Sequence, residues 1–244
     1  MTKPFLLLQL RPEDVASDDE YQAFLRASGL TDRQLVRIRM DEGLPDITLG
    51  DYSGVIIGGG PSNVSSTDDQ KYEYQKAFEP KLKALLRDII DRDFPCLGEC
   101  YGLGILADVL GGRVSTEKYR EDVGAVTVAL TEAGKTDPLL TGLPESFRAF
   151  AGHKEACQEL PPGSTLLASS SSCPIHTIRI GQKVYGTQFH PELDSYGLEV
   201  RIKTYKNAGY FPPEDADKLI ALGHQEVVTV PAEILRRFVT RYQA

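Results

Sequence analysis

Pro95-Cys96-Leu97-Gly98-Glu99-Cys100-Tyr101-Gly102-Leu103-Gly104 is the stretch that decides how this chain folds. An apolar run ends in a cysteine with a glycine two residues before it and another two after. Ile105, Leu106, Val109 and Leu110 then follow at helical spacing. The pattern is that of a nucleophile elbow, in which a strand delivers a reactive side chain onto a sharp turn and a helix starts behind it. Glycines on both sides let the backbone turn and let a substrate come close. At a helix N-terminus the partial positive charge favours the thiolate form of Cys100. A cysteine by itself is more often an inert core filler, so the assignment needs a base to complete it.

Outward from the elbow, residues 5–10, 35–40 and 54–58 read as further strands beside 95–100. Residues 18–28 and 72–92 read as helices; in the second, Phe78, Leu82, Leu85, Leu86 and Ile89 keep helical spacing. Alternating β and α segments imply an α/β fold with a mostly parallel central sheet flanked by helices, of the flavodoxin-like kind. Past Gly112 the strand-like runs 125–130, 147–151, 164–168 and 175–180 are closely spaced, which predicts a small antiparallel extension. From about residue 193 the tail reads as helical over 199–206, 213–222 and 231–242. Pro213 and Pro231 suit first helical turns, and 227–230 suits a short extended link. We expect one domain over 1–244.

The base is found in Gln188-Phe189-His190-Pro191-Glu192. In extended backbone, residues two apart leave on the same side, so Glu192 can accept a hydrogen bond from one nitrogen of His190 and leave the other for a thiol. Pro191 biases His190 toward an extended conformation and stiffens the pair. Taken alone, the motif also reads as a surface turn; beside the elbow it reads as a base. A third motif, Gly58-Gly59-Gly60-Pro61 after the strand at 54–58, lacks the lysine and Ser/Thr of a phosphate loop. It suits backbone N–H groups turned toward a developing oxyanion, or a tight loop without a ligand.

These motifs, in this order and spacing, resemble the class I (triad) glutamine amidotransferases, and among them the glutaminase domain of GMP synthase and its stand-alone relatives. The likeness runs from about Gly54 to Glu192 and includes Thr136-Asp137-Pro138-Leu139-Leu140, Gly152-His153-Lys154-Glu155-Ala156, Leu160-Pro161-Pro162-Gly163 and Ser172-Cys173-Pro174. It implies Cys100 as nucleophile, His190 as general base and acid, and Glu192 as the residue that orients it. The N–H groups of Gly60 and Tyr101 would form the oxyanion hole, with Gly59, Gly104 and His153 near the substrate. The implied activity is hydrolysis of the glutamine γ-carboxamide through a thioester, supplying ammonia to a separate ATP-dependent synthetase, with no metal or organic cofactor. One departure stands out. The family pattern reads Gly-x-Cys-x-Gly-x-Gln, and here the glutamine that helps hold the substrate is Gly104. This keeps open a free-standing hydrolase or transferase of γ-glutamyl amides or peptides, and a glutamine-sensing protein without activity.

Composition sets outer bounds. A net charge of −8 over 244 residues argues against a nucleic-acid surface, and no apolar run reaches a membrane span. Residues 1–10 lack a signal-peptide pattern and read as the first strand. Four cysteines, one of them given a thiolate role, suit a reducing cytoplasm. Cys96, Cys157 and Cys173 read as core or packing residues, and their spacing offers no zinc pattern. His176 reads as a strand-face residue and His224 as a surface helix end. Tyr101 suits lining the pocket or packing equally.

Overall fold

Phe5, Leu6, Leu7 and Leu8 are all fully buried, and successive members of this run enter two different cores. A strand buried on both faces reads as one continuous apolar run, and its side chains alternate between the layers that cover it. The computed structural model describes residues 2–243; Met1 and Ala244, the outermost residues of the expected 1–244 domain, lie outside them.

The strands are β1 (Phe5–Gln9), β2 (Leu35–Arg39), β3 (Gly54–Ile57), β4 (Cys96–Glu99), β5 (Val114–Ser115), β6 (Glu121–Leu130), β7 (Ser146–His153), β8 (Ala156–Cys157), β9 (Ser164–Ser170), β10 (Thr177–Ile180) and β11 (Val184–Thr187). The helices are α1 (Asp14–Ser28), α2 (Glu73–Asp91), α3 (Tyr101–Val109), α4 (Glu132–Thr136), α5 (Ser195–Thr204), α6 (Ala216–Gln225) and α7 (Val230–Tyr242). Nine strands form one sheet in the order β2-β1-β3-β4-β11-β10-β9-β6-β7, while β5 and β8 pair separately. The first five are mutually parallel and run in the doubly wound order. The antiparallel extension is four strands that continue the same sheet.

On one face, Leu82, Leu86 and Ile89 of α2 and Leu103 and Leu106 of α3 pack over Leu6, Leu8, Val55, Ile57 and Cys96. On the other, Phe24 of α1 and Ile234, Leu235, Phe238 and Val239 of α7 cover Phe5, Leu7, Ile56, Leu97 and Tyr185. Each such apolar side chain contributes about 1.5–3 kcal/mol on burial, so the helical tail is part of the core.

The tail departs from expectation in detail. Its first helix begins at Ser195, where the Asp194 carboxylate caps the Gly197 N–H at 2.8 Å. Residues 213–215 form a single 3₁₀ turn before α6, and Val230 opens α7 instead of ending an extended link. His176 lies in a bend just before β10 and is completely buried, and Cys173 sits in the loop between β9 and β10. Among the described residues, no helix is long and apolar enough to cross a membrane.

Candidate active site

β3, β4 and β11 are adjacent and parallel, so their carboxyl ends open on one edge of the sheet. The three motifs follow those ends: Gly58-Gly59-Gly60 after β3, Cys100 after β4 and His190 just past β11. Crevices at the carboxyl ends of parallel strands are where such sheets bind ligands.

Cys100 has φ 49° and ψ −100° and stands at the N-cap of α3. A non-glycine residue held there stores about 1–3 kcal/mol of strain, which the surrounding turn must impose. The turn is tight enough to do so. A Cβ on Gly98 would lie 2.7 Å from the carbonyl carbon of Gly102, and one on Gly102 would lie 2.9 Å from the Ile57 oxygen. The Cys100 N–H donates to the Thr187 carbonyl at 2.7 Å, tying the elbow to β11. Cys96, Cys157 and Cys173 are buried, and burial pushes each thiol up to about 12. Cys100 alone of the four is half-buried.

The Cys100 thiol stands beside the His190 ring and favours its charged form. The ring Nδ1 faces two carboxylates, lying 3.1 Å from Glu99 Oε1 and 3.6 Å from Glu192 Oε1. The expected partner, Glu192, is therefore present but is the more distant of the two. Arg201 of α5 draws it away through a short ion pair, and Arg201 also reaches Glu20 at 3.4 Å. Glu20 in turn holds Arg11 at 2.7 Å. Burial and the adjacent Glu192 push the Glu99 carboxyl well above the usual range. Burial acts upward on Glu192 too, but Arg201, Glu99 and His190 outweigh it and hold that carboxyl well below the usual range. Burial and Arg201 oppose the charged form of His190; the thiol and Glu192 more than offset them and raise it. The donor atoms of Glu99, His190 and Glu192 lie within 4.8 Å of one another, compact enough for a cation. The Arg201 guanidinium already supplies the positive charge at that point.

Gly59 and Gly60 border this cluster. Gly59 donates its N–H to Glu99 Oε1 at 3.0 Å, and a Cβ there would stand 2.4 Å from His190 Cε1. Its lack of a side chain makes room for the imidazole. Gly60 lines both cavities that meet at Cys100, of about 50 and 20 Å³. Tyr101 is the first residue of α3, so its N–H has no acceptor one turn back. Its side chain packs inward against Phe78, and its hydroxyl donates to Glu79 at 3.4 Å.

Gly104 and His153 lie along the smaller cavity with Glu155. A Cβ on Gly104 would meet only ordinary contacts, 3.4 Å from Val64 and 3.7 Å from Glu155 Oε1. Glu155 accepts the N–H groups of Val64 and Ser65 and the Ser65 hydroxyl. Both ring nitrogens of His153 are engaged, Nδ1 with the Glu155 carbonyl at 2.9 Å and Nε2 with Glu121 at 3.0 Å. It offers a ligand its ring face and no free hydrogen bond.

The sequence matches the family model described as glutamine amidotransferase class-I over residues 20–201. The chain belongs to the class-I glutamine amidotransferases. A GMP synthase (glutamine-hydrolysing) of Caldicellulosiruptor saccharolyticus is 34% identical over 163 residues, 66% of this chain and 29% of that protein. In Pyrococcus abyssi, one subunit of a GMP synthase (glutamine-hydrolysing) is 30% identical over 151 residues, 62% of this chain and 71% of that one. The match to the Caldicellulosiruptor protein thus spans well under half of that relative's own length. In fold the chain is similar to a glutamine amidotransferase of Thermotoga maritima, with a TM-score of 0.76 at 22% identity, covering 98% of this chain and 97% of the other.

The elbow, the imidazole, Glu192 and the Gly59-Gly60 turn come together, while Gly104 and His153 sit along one wall. Sequence reasoning missed Glu99 and Arg201. Glu99 left one signal, a carboxylate inside an otherwise apolar, fully buried strand, where a charge needs a partner.

Proposed function

We propose that this amidotransferase hydrolyses the γ-carboxamide of glutamine, with Cys100 as nucleophile, His190 as its base and acid, and Gly60 and Tyr101 N–H groups as oxyanion donors. The observation that carries this is the strained Cys100 at a helix N-terminus beside a buried histidine whose far nitrogen is held by carboxylates. The Cys100 sulfur attacks the amide carbon, and the carbonyl oxygen takes up negative charge. A well-placed donor there is worth about 2.7–4 kcal/mol in the transition state. His190 donates a proton to the departing nitrogen, the C–N bond breaks, and ammonia leaves a γ-glutamyl thioester. His190 then takes a proton from water as its oxygen attacks, and glutamate is released with the thiol restored. Kinship with a chain that is one subunit of a GMP synthase supports delivery of the ammonia to a separate ATP-dependent synthetase. The chemistry calls for no metal or organic cofactor.

A second reading is favoured by Gly104. With no amide side chain there, the wall beside Glu155 lacks the glutamine that helps hold a free glutamine substrate in the family pattern, which leaves γ-glutamyl amides or peptides as candidate substrates. Turnover of glutamine and of γ-glutamyl peptides, followed by ammonia and glutamate release, decides between them. Cys100→Ala is expected to lower either activity by about 10³-fold or more without changing the fold. Full turnover in that variant would sink the reading.

A further inference from the structure

The chemistry proposed for the elbow assigns no task to Glu99, yet its Oε1 is the carboxylate oxygen nearest His190 Nδ1. Two buried oxygens next to it, Glu99 Oε2 and Glu192 Oε2, have no hydrogen-bond donor. Orphaned carboxylate oxygens in a dry interior are costly. A single proton shared between the two carboxyl groups gives both a partner. Charge leads to the same arrangement. Arg11 and Arg201 supply two positive charges, and Glu20 and Glu192 take them up through ion pairs. A third carboxylate anion would have to share the His190 imidazolium with the Cys100 thiolate, and a buried charge without a counterion of its own neutralises itself.

Resting on the cysteine-hydrolase reading above, we propose that Glu99 is a positioning residue that works as a neutral acid. Its Oε1 receives the His190 Nδ1–H and the Gly59 N–H, while its own proton is held by Glu192. Glu192 supplies the negative charge, Arg201 balances it, and Glu99 fixes the ring plane so that the other nitrogen meets the Cys100 sulfur. Among the described residues, the imidazole is faced by Glu99 and Cys100 from the elbow, Glu192 from the turn and Arg201 from α5; Glu20 of α1 reaches Arg201, with Arg11 behind it, and Asp19 of α1 lies in the field of Arg201 and Glu192.

Two variants separate this from a packing role. In Glu99→Gln the amide keeps an oxygen for His190 and an N–H for Glu192; kcat is expected to fall less than about tenfold. In Glu99→Leu both are lost, and kcat is expected to fall about 100-fold with KM unchanged. Alkylation of Cys100 by iodoacetamide gives a readout that needs no substrate. An imidazolium deprived of its Nδ1 acceptor supports the thiolate less, so the Glu99→Leu alkylation midpoint moves up by about one pH unit, and the Glu99→Gln midpoint far less. Equal losses in both variants would show that a charge at Glu99 is what matters. Wild-type rate and alkylation profile in Glu99→Leu would show that Glu192 suffices. Either result overturns the proposal. If wild type turns over neither glutamine nor γ-glutamyl peptides while the alkylation profiles separate as stated, the substrate reading fails and the positioning role stands.

Discussion

Gly59 is the residue on which the imidazole's position depends most directly. Its N–H fixes Glu99, and its missing side chain leaves the space that His190 fills. In Gly59→Ala the added methyl group would stand 2.4 Å from His190 Cε1, inside van der Waals contact. The ring must swing away and lose its short contact with Glu99. A displacement of about 1 Å at such a site costs about 100-fold in rate, so kcat should fall by that much while circular dichroism stays native. The elbow and the His190 turn were legible in the sequence because each is a local pattern: a glycine bracket around Cys100, a proline-stiffened His190-Pro191-Glu192. Glu99 as the nearer partner of His190 was not. The two are 91 positions apart, and only the pairing of β4 with β11 brings them together.

At the scale of elements, long segments with a strong period were legible, and the way they are capped and joined was not. Apolar runs placed β1, β3 and β4 within a residue or two, because strands buried on both faces need apolar sequence, while the edge strand β2 was read from a run that mixes apolar residues with arginines. The segment from Tyr205 to Phe211 gave no comparable signal. It crosses the mouth of the site between α5 and α6, and Tyr210 lines both cavities at Cys100. Tyr210 is held by Lys154, whose Nζ lies 4.4 Å over its ring and also donates to the Ala208 carbonyl at 3.2 Å. Tyr210 therefore narrows the approach to Cys100. Tyr210→Ala is expected to speed Cys100 modification by a bulky maleimide several-fold, while a small reagent such as iodoacetamide gains much less. Equal gains for both reagents would show that Tyr210 tunes the sulfur and does not gate it.

Across the whole molecule, one buried carboxylate ties the antiparallel half of the sheet to the edge that carries Cys100 and His190. Glu121 of β6 accepts from His153 at the end of β7 and His176 before β10, and from Ser170 at the end of β9 and Ser172 just past it. His176 stacks on Phe189 with ring centroids 5.7 Å apart, and Phe189 adjoins His190. The cluster therefore buttresses the turn that carries His190, and His153 is consumed in that structure. Burial pushes the Glu121 carboxyl up, but the two imidazoles and Ser170 outweigh it and hold it well below the ordinary 4.5. A depressed carboxylate binds fewer protons folded than unfolded. Its stabilisation is therefore complete above about pH 4.5 and is lost as pH falls through its folded value. Glu121→Gln imitates the protonated form. It should cost about 3 kcal/mol near neutral pH, as breaking a buried charged network does. Urea unfolding of both proteins between neutral pH and pH 4 checks this: the gap between them should shrink steadily once pH drops below about 4.5. A gap that stays constant over that range would mean that Glu121 contributes through its shape and packing, and that the charge linking β6 to the histidines is dispensable.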